Sequence, residues 1–115
     1  MASHFIITND SRTEVYELML NGMPAGVIQT LATEAFSLEP GKYEVSFRES
    51  EQSEVPAVCK SIQVTIDDEK TLRLKIVTHF FSINITDAEG TILNGKHGFL
   101  CGHIGDGIYV ENVID

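Results

Sequence analysis

Residues Lys42–Arg48 read "KYEVSFR", and the spacing of their apolar side chains decides the fold class. Tyr43, Val45 and Phe47 alternate with Lys42, Glu44, Ser46 and Arg48. Successive side chains of a strand point to opposite faces, so this period of two buries one face and wets the other. A helix would instead space its apolar residues three or four apart. The same alternation recurs in "SIQVTI" from Ser61, "TLRLKI" from Thr71 and "FSINIT" from Phe81. Weaker strand candidates are His4–Thr8, Glu14–Leu20, Gly26–Gln29, Glu34–Leu38 and Gly107–Val113. The turn signals "NDS", "NGMPAG", "EPG", "DDEK", "DAEG" and "NG" separate them. The expected fold is all-β: an antiparallel β-sandwich, Ig-like or prealbumin-like, of about seven to nine short strands with little or no helix.

Outward from that stretch, Pro40-Gly41 forms a tight turn in which glycine is free to take positive φ. Tyr43, the first inward residue of the strand, can bury its ring and return its hydroxyl to nearby backbone. Pro40, Gly41 and Tyr43 are therefore read as a structural turn. "LATEAF" is too short for a stable helix. "RESEQSEVP" is acidic and poor in apolar residues, so it reads as an exposed loop. "LNG" occurs at Leu20–Gly22 and again at Leu93–Gly95. Both copies read as hairpin turns whose two central residues want positive φ.

"EVYELMLNGMPAGVI", "FSLEPGKYEVSF" and "CKSIQVTIDDEKTLRLKI" together resemble a PEGA-type small β-sandwich. The shared elements are a strand ending in Asn-Gly with a second glycine, then Leu-x-Pro-Gly before an aromatic, alternating strand. Carboxypeptidase-regulatory-like, transthyretin-like and Cna-B-like sandwiches share the Leu-x-Pro-Gly-x-Tyr element. The resemblance covers Val15–Val77, and the remaining residues 78–115 add C-terminal strands and a glycine-rich loop. It implies a non-catalytic module for adhesion, attachment or spacing.

The chain has 115 residues, 43% of them apolar, which fits one globular domain spanning 1–115. The formal net charge is −9 and no Lys/Arg cluster offsets it, so nucleic acid is not an expected partner. The N-terminus "MASHFIITND" shows neither a basic leader nor a long apolar run. The expectation is a cytoplasmic chain without membrane insertion, or an exported one if a leader precedes it. Two cysteines, Cys59 and Cys101, are too few for a disulfide framework and are expected as free thiols. Asn9-Asp-Ser11 and Asn84-Ile-Thr86 match glycosylation sequons.

The chemistry-bearing residues gather in "NGKHGFLCGHIGDG" (94–107). His97, Cys101 and His103 offer metal-ligand atom types, and on a strand Cys101 and His103 would share a face. A Cys101–His103 nucleophile pair lacks the geometry that catalysis needs. The glycine spacing lacks a following helix and a lysine for phosphate. The acidic turns at Asp67–Lys70 and at Asp87 and Glu89 carry carboxylates that read as solvated hairpin turns or weak calcium ligands. Phe99 and Leu100 could present an apolar interaction loop.

Two functions follow as expectations. The first is a non-enzymatic module that binds protein, or itself, through an edge strand or loops, with no cofactor. The alternative is a metal binder, or small metal-assisted enzyme, centred on His97, Cys101 and His103.

Overall fold

The computed structural model describes residues 3–50, 59, 61–79, 82–94, 101–103 and 108–112. These form ten strands in two sheets with no helix. The strands are β1 (Ser3–Asn9), β2 (Tyr16–Leu20), β3 (Met23–Ile28), β4 (Thr33–Leu38), β5 (Gly41–Glu49), β6 (Ile62–Ile66), β7 (Thr71–His79), β8 (Ser82–Thr86), β9 (Cys101–His103) and β10 (Ile108–Asn112). A four-stranded sheet runs β4-β1-β7-β8, and a six-stranded sheet runs β3-β2-β5-β6-β10-β9. The all-β, two-sheet architecture is the expected one.

Two details differ from the expectation. The strands number ten among the described residues, because the short β9 lies within the glycine-rich segment, where no alternating run marks it. One pair is parallel: β1 runs alongside β7 from His4↔Thr71 to Asn9↔Ile76. Parallel neighbours need a crossover rather than a hairpin. Here β7 enters from the six-stranded sheet through Asp67–Lys70. That acidic segment is thus a crossover between sheets and not the hairpin its sequence suggests. From the C-terminal part, β8 pairs with β7 and β10 pairs with β6, so these strands extend the same two sheets.

The alternating residues behave as their period dictates. Val45, Phe47, Ile62, Val64, Ile66, Leu72, Leu74, Ile76, Ile83 and Ile85 are buried, together with Phe5, Ile7, Tyr16 and Leu18. Full burial of each such side chain contributes about 1.5–3 kcal/mol. Three polar ties hold the sheets and crossovers together. Tyr43 reaches across the sandwich: its ring meets Phe5 edge-on at 5.9 Å, and its hydroxyl donates to the Glu39 carbonyl before the Pro40 turn. Gly41 has φ 153°, so the turn does use glycine's freedom. The buried Tyr16 hydroxyl hydrogen-bonds the Thr78 hydroxyl of the opposite sheet. Ser3 Oγ accepts from the Lys70 N–H and donates to the Asp67 carbonyl, fixing the β6–β7 crossover to β1.

Asn9 is fully buried, and both halves of its carboxamide are engaged. Its Nδ2 donates to the carbonyls of Glu14 (2.8 Å) and Ile28 (3.2 Å), while Oδ1 accepts from the Ser11 N–H (2.9 Å). In this fold Asn9 is a structural cross-tie with no amide left for a glycan, whatever its sequon suggests.

Candidate functional site

Backbone N–H and C=O groups demand partners, and a sheet edge presents a row of them. The edges are therefore where a sandwich of this kind can recognise another chain. Each of the four edge strands, β3, β4, β8 and β9, solves the problem differently.

β3 carries Pro24, which has no N–H, and its pairing with β2 shifts register at Leu18/Met19. Proline and a bulge are both devices that discourage further pairing. Met23 and Val27 are exposed on this strand, at 68% and 43%. β9 is only three residues long.

β8 is sealed by the chain that follows it. Asp87 begins a tight turn in which its Oδ1 accepts from the N–H groups of Glu89 (3.0 Å) and Thr91 (2.9 Å). Its carboxylate is thus engaged with backbone. Ile92 then bridges to Thr86, and the Leu93 N–H donates to the Ile85 carbonyl at 2.7 Å. Asn94 completes the seal with its side chain. Oδ1 accepts from the Ile85 N–H (2.8 Å), and Nδ2 donates to the Ile83 carbonyl (3.1 Å). A carboxamide has one donor side and one acceptor side, as a peptide group does, so Asn94 stands in for a residue of a further strand. The residue is 4% exposed. Cys59 packs beside it, its Sγ 3.8 Å from Nδ2, and burial pushes that thiol up to about 11.

β4 is the remaining edge. It pairs with β1 in unbroken register from Ser3↔Leu38 to Thr8↔Thr33. It contains no proline, and it has no bulge. The Asn9 N–H donates to the Ala32 carbonyl, and the His4 N–H donates away from β4, to Lys70. Antiparallel pairs alternate between bonded and non-bonded, so Thr33, Ala35 and Ser37 direct their N–H and C=O groups away from β1. No described residue outside β1 pairs with this strand. Its one charge, Glu34, lies opposite Ile7 on the side shared with Phe36. The Phe36 ring packs over Gly26 so closely that an added Cβ there would fall 2.2 Å from its Cε1. That contact fixes β4 against the six-stranded sheet.

The residues singled out for metal binding fall elsewhere. His97 lies outside the described residues, as do Phe99 and Leu100 of the interaction loop. Cys101 and His103 occupy alternate positions of β9, in register with Glu111 and Tyr109. Among the described residues no three His, Cys, Asp or Glu side chains form a group that could hold a metal. The sequence reading pointed to edge strands in general. It did not single out β4, because openness depends on what other segments cover. No family model, no curated protein and no solved structure matches the chain.

Proposed function

We propose that this protein is a non-enzymatic interaction module that accepts an extended segment of a partner protein along β4. The observation that carries the reading is the contrast between edges: β3 is blocked, β8 is sealed, β9 is short, and β4 is regular and unpaired among the described residues. Strand addition draws its affinity from main-chain hydrogen bonds and its specificity from alternate side chains. The resemblance of Val15–Val77 to PEGA-type sandwiches supports the same class of role, a module without chemistry of its own.

The test is affinity capture from the source lysate with wild-type protein, Ala35→Pro and Val27→Pro. Proline at 35 removes an outward N–H without breaking a bond to β1, and proline at 27 does the same on β3, because Val27 lies opposite Glu17, which bonds β5. A partner retained by wild type and Val27→Pro but lost with Ala35→Pro is the expected result. Equal recovery by Ala35→Pro, folded by circular dichroism, would overturn the reading. Ser37→Pro serves if Ala35→Pro does not fold.

A further inference from the structure

The outer face of the four-stranded sheet has a charge unlike the rest of the chain. Register across the strands aligns Ser37–His4–Thr71, then Ala35–Ile6–Arg73, then Thr33–Thr8–Lys75–Thr86. Val77 and Asn84 continue the pattern. None of these positions is Asp or Glu, although acids outnumber bases 17 to 8 in the whole chain. The outer face of the six-stranded sheet is mixed instead, with Glu17, Lys42, Glu44 and Arg48, and Arg48 Nε donates to Glu17 Oε1 at 2.6 Å. Arg73 and Lys75 have no carboxylate within ion-pair distance among the described residues. They border a groove of about 280 Å³ with Ile6, Thr8, Thr33 and Ala88.

We infer that the segment added on β4 is acidic on its outward side, and that Arg73 and Lys75 receive its carboxylates across this groove. The inference rests on the β4 reading. An added strand continues the three rows, so its outward residues fall beside Thr33, Ala35 and Ser37. Strands lie about 4.8 Å apart, which puts β7 roughly 14 Å from the added strand. A glutamate lying across Ala35 and an arginine extending over Ile6 meet in that span. Ala35 is small, and the Thr8 and Thr33 hydroxyls, 2.9 Å apart, leave a low polar path on the next row. Glu34 belongs to the other side of β4, so it opposes acids on the inward row and not on the outward one.

Charge complementarity selects a peptide over a nucleic acid. A net charge of −9 repels a polyanion at long range, whereas one or two carboxylates on a strand match two cations beside a groove of small and uncharged side chains. Exposed pairs of this kind are individually weak, so the expected preference for Glu over Gln is about threefold to tenfold, and it weakens as salt rises.

The experiment is selection of a displayed random dodecapeptide library on wild-type protein, on Arg73→Gln/Lys75→Gln and on Ala35→Pro. Peptides from wild type should carry Asp or Glu at alternate positions. That enrichment should vanish with the double glutamine variant, and recovery should fall with Ala35→Pro. Synthetic Glu-containing and Gln-containing versions of one recovered peptide, titrated at two salt concentrations, should show the stated preference. Peptides lost with Ala35→Pro but lacking acidic enrichment would overturn this inference and leave strand addition standing. Peptides indifferent to Ala35→Pro, or no recovered peptides at all, would overturn the edge reading and this inference with it.

Discussion

The four-stranded sheet has two edges, and they are built to opposite ends. At β8 the chain doubles back and covers the backbone with Ile92, Leu93 and the Asn94 side chain. At β4 a regular six-residue strand is left without a described partner on its outer side. Both edges belong to one sheet and share one core, so the difference is not a matter of general stability. Among the described residues one edge is closed by its own chain and the other is not, and it is on the second that the proposed function places a partner strand.

The largest expected effect comes from breaking the sealed edge. Asn94→Ala leaves the Ile85 N–H and the Ile83 carbonyl without their carboxamide partner. Each orphaned buried group costs about 1–3 kcal/mol, so the loss should be about 3 kcal/mol by denaturant unfolding. The β8 edge would then resemble β4, and the Ile85 amide should lose its exchange protection.

Next comes the packing that holds the open edge in place. Gly26→Ala drives a methyl group into the Phe36 ring, an overpacking that should cost about 2 kcal/mol. If β4 is positioned by this contact, peptide capture should weaken along with stability.

Tyr43→Phe removes the hydroxyl bond to the Glu39 carbonyl at the exit of β4 while keeping the ring on Phe5. The expected cost is about 1 kcal/mol. It should appear as a lower denaturant midpoint with an unchanged slope.

The pH dependence probes the sealed edge from beneath. Burial raises the Cys59 thiol from 9.0 to about 11, and burial likewise raises the Tyr16 hydroxyl above its ordinary value of 10.0. For groups raised in the folded state, the stability is fully present below the unfolded-state value. It is lost as pH climbs through the folded one. Tm should therefore be insensitive to these groups at neutral pH and fall from pH 9 upward. Cys59→Ala should remove the part of the fall that begins near pH 9 and leave the part due to Tyr16.

How much of this was legible in the sequence is clearest from the two Leu-Asn-Gly tripeptides. At Asn21-Gly22 the local code holds: φ is 53° and 79°, as a tight hairpin between β2 and β3 requires. At Asn94 the side chain has a tertiary role, and Gly95, the second residue of the expected turn, lies outside the described residues. The side chain is buried, and its partners are Ile83 and Ile85, nine to eleven residues back. A turn is written in neighbouring residues, whereas a side chain acting as a strand is written only in the tertiary structure. The strands follow the same division. The alternating runs appear as β5, β6, β7 and β8, since period two is local. The parallel pairing of β1 with β7 and the openness of β4 depend on how distant segments are arranged. The Tyr43 tie was legible because its partner, Glu39, is four residues away. The outer face with Arg73 and Lys75 was not, because those positions meet Ile6 and Thr8 only through the parallel register.

The most direct test is residue-resolved amide exchange on the free protein along β4 and β8. An open β4 edge predicts an alternating pattern: Glu34 and Phe36 protected by β1, Thr33, Ala35 and Ser37 exchanging fast, and Ile85 protected by Asn94 on the opposite edge. Strong protection of Thr33, Ala35 and Ser37 in the free protein would mean that the edge is already paired, and would contradict the account.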